Sequence, residues 1–79
     1  METAVFKKYE NGYYTFLFGN GEEIDFEEVN PRVLHKFNLK HDKSLINETF
    51  TLIFVEVFDD DDDDFIIYRI EYLELINSN

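Results

Sequence analysis

The chain has 79 residues, 44% of them hydrophobic, with nine Phe, five Tyr and no cysteine. That length supports one domain, the composition is too apolar for a disordered chain, and the lack of cysteine excludes a disulfide framework and a thiolate zinc site. The formal charge of −11 makes nucleic acid and anionic membranes poor partners, because such a surface repels phosphate.

The charge is uneven. Residues 1–43 carry −2, whereas residues 44–79 carry −9 with Arg69 as their one base. The N-terminal Met1-Glu2-Thr3-Ala4 has neither a basic start nor a following apolar stretch, so no secretory signal is expected. The longest apolar stretch, around Leu52–Val55, is far too short to span a bilayer, and a reducing cytoplasm is the default expectation.

In chain order, Val5–Tyr9 reads as a strand, Asn11-Gly12 as a type I′ hairpin turn, and Tyr13–Phe18 as the returning strand. Gly19-Asn20-Gly21 is a second turn. A three-residue loop here sets Phe16 opposite Ile24 and Tyr14 opposite Phe26, matching like with like, and assigns Gly21 the left-handed position. A third strand spans Glu23–Val29. Asn30-Pro31 then pairs a favoured N-cap with a favoured first helical residue, predicting a short helix with Val33, Leu34 and Phe37 on one face. Residues 38–47 read as a loop anchored by Leu39, Leu45 and Ile46. Glu48–Phe58 is the strongest strand. It is apolar on both faces, which predicts a central or barrel strand with one face covered by the helix. Phe65–Ile76 is the fifth strand, with Ile66, Tyr68, Ile70 and Tyr72 on one face and a bulge near Tyr72 bringing Leu73, Leu75 and Ile76 into the packing; helix is the alternative over 69–76.

The order β-β-β-α-β-β predicts a mainly β protein with one short helix. In element order and length it resembles the oligonucleotide/oligosaccharide-binding (OB) fold, a small five-stranded Greek-key barrel or β-roll. An SH3-like barrel and an open sheet packed on one helix are the alternatives. The expected core is Phe16, Phe18, Ile24, Phe26, Leu34, Phe37, Phe50, Leu52, Phe54, Ile66 and Ile70, and the expected edges are Val5–Tyr9 and Phe65–Ile70.

The most unusual feature is the run Asp59, Asp60, Asp61, Asp62, Asp63 and Asp64, read as a solvated hairpin loop. Hard oxygen ligands suit calcium, but an EF-hand is excluded, since Phe65 occupies the position that requires glycine. The run also suits electrostatic docking to a basic protein, as in an immunity-type inhibitor or a nucleic-acid mimic, or a charged loop that discourages edge pairing. Tyr13, beside Leu17 on the face turned away from Phe16, is a second candidate contact as an exposed stacking ring. His35 and His41 read as surface histidines. No HExxH, CxxC, phosphate loop or nucleophile–base pair at a recognised spacing occurs, so neither an enzyme nor a bound cofactor is expected. The leading expectation is a non-catalytic module presenting an acidic surface to a basic protein. A binder of a small ligand, carbohydrate or divalent cation is the alternative.

Six adjacent carboxylates repel one another, so raising ionic strength should raise the melting temperature by relieving that repulsion. Thermal melts from 10 mM to 500 mM NaCl check this, and a flat series is the contrary result.

Overall fold

The computed structural model describes residues 1–59 and 62–76. It contains six strands, β1 (Glu2–Glu10), β2 (Tyr13–Phe18), β3 (Glu23–Phe26), β4 (Glu28–Val29), β5 (Thr49–Asp59) and β6 (Asp62–Leu75), with one helix, α1 (Pro31–Lys36), and a single 3-10 turn at Lys43–Leu45. The mainly β class with one short helix is therefore as the sequence reads. The strands form one sheet in the order β3-β2-β1-β5-β6-β4, so the architecture is an open six-stranded sheet rather than a closed five-stranded barrel. The sixth strand arises because the expected third strand breaks at Glu27 into β3, which pairs with β2, and β4, which pairs in parallel with β6 at Arg69 and Ile70.

Local chemistry sets the first meander. Glu10 pairs with Tyr13, leaving a two-residue turn in which Asn11 and Gly12 both take positive φ, as the type I′ geometry demands. At the next turn Phe18 N donates to Glu22 O (2.8 Å), Gly21 lies at φ +87°, and Phe16 faces Ile24 while Tyr14 faces Phe26. The register argued from matching side chains is the one observed. One face of this meander carries Ala4, Phe6, Tyr14, Phe16, Phe18 and Phe26, all buried.

Residues 30–47 cross from β4 to β5. Asn30 caps α1 by accepting from Arg32 N at 2.9 Å, and Pro31 fills the first helical position. Val33 and Leu39 are buried, and Phe37 lies edge-on to Phe50 at 5.4 Å. The helix thus packs on the core side of β5. It does not cover the outer face of that strand, where Ile53 and Val55 stay exposed, contrary to the expectation from its two apolar faces.

The long β5–β6 hairpin supplies the remaining core. Phe50 and Leu52 face Leu75 and Leu73, and Phe54 faces Ile70. Between Ile53↔Tyr72 and Phe54↔Ile70 the ladder gains one residue on β6, Glu71. This bulge reverses the alternation, so Ile70 and Leu73 are both buried while Tyr72 turns outward at 41% exposure. Residues 69–75 are strand, not helix. Leu75 stays exposed, and so does Ile66, which had been expected in the core: it lies beyond the last lateral neighbour of the hairpin. Ile24, Leu34, Phe37 and Phe54 are only partly buried, whereas Ala4, Phe6, Tyr14, Val29, Val33, Leu39 and Leu73 complete the core. β1 lies between β2 and β5 in the sheet order, but its ladder to β5 ends at Val5↔Thr49, so of the expected edge Val5–Tyr9 the first residue is paired on both sides and, among the described residues, Lys7–Tyr9 have no β5 partner.

A domain of this length has a total stability of about 4–12 kcal/mol. Phe26 is fully buried and packs against Phe16, Phe18, Phe54 and Tyr68. Phe26→Ala should therefore cost about 3–5 kcal/mol, most of the margin, while Ile66→Ala should stay within about 1 kcal/mol. Urea denaturation followed by tyrosine fluorescence separates the two.

Candidate functional site

The strands of the sheet differ in length, and that mismatch makes the site. β1 pairs with β5 only from Glu2↔Leu52 to Val5↔Thr49. β4 covers β6 only at Arg69 and Ile70. Beyond these limits β5 and β6 continue together as an arm, and among the described residues neither strand has another neighbour there. The molecule is elongated accordingly, 45 × 27 × 20 Å.

Where the arm leaves the roll, an open groove of about 560 Å³ lies between the β2–β3 turn and the inner face of the arm. Its floor is aromatic and apolar: Phe18 from β2, Ile24 from β3, Phe54 from β5 and Tyr68 from β6. Phe54 stands edge-on to Phe18 at 5.9 Å and to Tyr68 at 6.0 Å, so the rings form one continuous wall. Its rim is acidic: Glu2 opens β1, Glu22 closes the turn and Glu56 follows Phe54 on the same face of β5. The turn is fixed by Asn20, whose Oδ1 accepts from Glu22 N at 2.9 Å. Among the described residues none of these three carboxylates has a cationic partner within ion-pair distance. The groove therefore offers ring faces and unneutralised carboxylates together, a combination that favours a cation carried on an apolar stem.

The basic residues sit elsewhere. Lys40 lies 5.7 Å from the Tyr9 ring, Lys7 donates to Asn47 at 2.9 Å, and Lys36 pairs with Glu74 at 2.6 Å. Burial pushes the Tyr14 phenol above its ordinary pKa, with nearby Lys40 working in the opposite direction. Tyr14 also stacks against Tyr9 at 4.7 Å, so those two tyrosines are packing residues. His35 lies exposed on α1 and His41 exposed in the following loop. Among the described residues no cluster of His, Asp and Glu has the arrangement of a metal site.

The residues singled out from sequence are not brought together. Tyr13 is 41% exposed beside the Asn11-Gly12 turn, at the far end of β2 from the groove. Strands extend to Asp59 and resume at Asp62, which pair with each other, so the run is not a six-residue loop. Asp60 and Asp61 lie outside the described residues. Of the residues read as core, Phe18 is buried and also floors the groove, whereas Ile24 and Phe54 are only partly buried and open onto it. The signal present in the sequence is length: the strand read over Glu48–Phe58 is longer than the Val5–Tyr9 and Tyr13–Phe18 strands available to flank it.

The bulge residue Glu71 ties the helix start to β6. Arg69 Nε donates to it at 2.5 Å and Asn30 Nδ2 at 3.3 Å, and these bonds, Arg69's foremost, hold its carboxyl below the ordinary pKa near 4.5. The hydrogen bond and charge of Lys36 do the same for Glu74. A carboxyl depressed in the folded state stabilises it above the unfolded pKa, and that contribution is lost as pH falls through the folded value. The double variant E71Q/E74Q should thus melt below the wild type at pH 7, with the gap closing as pH drops below about 4.5. Melting curves from pH 3 to 7 read this difference directly, free of the general relief of repulsion that both proteins share.

No protein-family model matches the chain, and neither the curated proteins nor the solved structures contain a match to it.

Proposed function

We propose that this chain is a non-catalytic interaction module that presents an acidic surface to a basic protein, carried on an OB-like roll. The observation that carries the reading is the aromatic groove rimmed by Glu2, Glu22 and Glu56, set at the base of an arm whose strands reach Asp59 and resume at Asp62, within the acidic run of the sequence. Reading residues 23–29 as one bent strand supports the OB-like description: its first half pairs with β2, its second half with β6, and the sheet rolls toward closure. The −9 charge of residues 44–79 steers a cationic partner toward the arm, and the same field disfavours nucleic acid.

The test uses two baits in parallel, wild type and a version with Asp59–Asp64 changed to Asn. A basic protein should be retained by the first and reduced on the second. Its association rate with the wild type should fall about tenfold or more between low and physiological salt, a dependence the Asn version flattens. Equal retention by both baits, or a partner without basic character, overturns the reading.

A further inference from the structure

We infer that the groove and the adjoining edge of β5 receive an extended segment of the partner that alternates cationic and apolar residues and adds to the sheet as a strand. The inference rests on the basic-partner reading and specifies where and how that partner binds.

Three observations converge on it. First, β1 ends its pairing with β5 at Glu2↔Leu52, while β5 runs on to Asp59. Among the described residues the edge beyond Leu52 is unpaired on the β1 side, so its outward N–H and C=O groups are positioned to accept a further strand in line with β1.

Second, the two faces of this edge differ in chemistry. On the inner face Phe54, Glu56 and Phe58 alternate, and Glu56 lies directly across from Tyr68. Phe58 is 60% exposed. On the outer face Ile53 and Val55 are exposed and apolar, with Val57 following. An added strand places successive side chains on opposite faces, next to cross-strand partners about 4.5–5.5 Å away. Inner positions would then meet carboxylates and ring faces, which suits Arg or Lys. Outer positions would meet Ile53 and Val55, which suits Val, Ile or Leu.

Third, charge decides the occupant. The rim carboxylates have no ion-pair partner among the described residues, and the strand leads directly into the Asp59–Asp64 run. A second copy of this chain brings a surface of the same sign, −11 per chain, against the edge at a cost in repulsion, whereas a cationic strand is attracted to it.

The probe is a synthetic nine-residue peptide alternating Arg and Val, titrated into the ¹⁵N-labelled full chain at low salt. Shifts at Phe18, Ile24, Phe54, Glu56 and Tyr68, with slowed hydrogen exchange along residues 53–58, are expected. The triple variant E2Q/E22Q/E56Q should bind about tenfold more weakly, and a peptide N-methylated at alternate residues, unable to complete the ladder, should lose binding by a larger factor. Shifts confined to residues near 59–64 and indifferent to N-methylation overturn the strand-addition inference while leaving the acidic module standing. Absence of binding to this peptide and to an all-Arg peptide overturns both. Concentration-dependent shifts along 53–58 without peptide assign the edge to a second copy and overturn the inference alone.

Discussion

Phe16 lies within 5.2 Å of the Phe6 ring, 5.8 Å of Phe26 and 6.1 Å of Phe50, measured between centroids. Those three neighbours come from β1, β3 and β5, so one side chain on β2 gathers four strands around itself. Phe26 of β3 in turn meets Phe54 of β5 at 5.2 Å and Tyr68 of β6 at 6.3 Å, on strands three and four places away in the sheet order; a flat sheet cannot bring these rings into contact, so the sheet has to roll. Rolling carries β3 toward β6, and the chain exploits this by passing from one edge of the sheet to the other through a single residue, Glu27. The aromatic cluster thus accounts for the curvature, and the curvature accounts for how a chain this short encloses a core. With about 60% of the unfolded surface buried in a domain of this size, large flat side chains supply what residue number does not.

The same roll is shorter than the hairpin that completes it. β2 has six residues and β1 nine, against eleven in β5 and fourteen in β6. The surplus has to project. On the projecting part apolar side chains find no second layer, which leaves Ile53, Val55, Phe58 and Ile66 exposed. An exposed strand edge of that character is a general liability for pairing with other chains. The projecting arm and the groove at its base therefore trace to one inequality of strand lengths.

Much of this is legible in the amino-acid order where the determinants are local. The Asn11-Gly12 turn, the Gly21 turn with its register and the Asn30-Pro31 helix start each depend on a few adjacent residues, and each stands as read; of the bulge near Tyr72, the position and the burial of Leu73 stand, while Leu75 stays exposed. What escapes is what depends on partners distant in sequence. Ile66 and Tyr72 match the inward pattern of Tyr68 and Ile70, yet Tyr72 is turned out by the insertion of Glu71 and Ile66 lacks a neighbouring strand to bury it. Residues 23–29 look like one strand because nothing in them announces two different partners. Phe54 reads as core because alternation reports which face a residue occupies, not whether that face has been roofed.

The sheet order also separates interactions by their distance along the chain. β1, β2 and β3 form one meander joined by tight turns, and β5 and β6 form a hairpin; each can assemble from its own local contacts. Only the β1–β5 ladder and the two-residue β4–β6 ladder connect them, across the segment 30–47. Closing that segment is where loop entropy has to be overcome before the phenylalanines of the two halves can meet. In topological terms the fold is two locally closed halves docked within one chain, with the crossing helix and loop of residues 30–47 as the tether whose length sets the entropic cost of bringing them together.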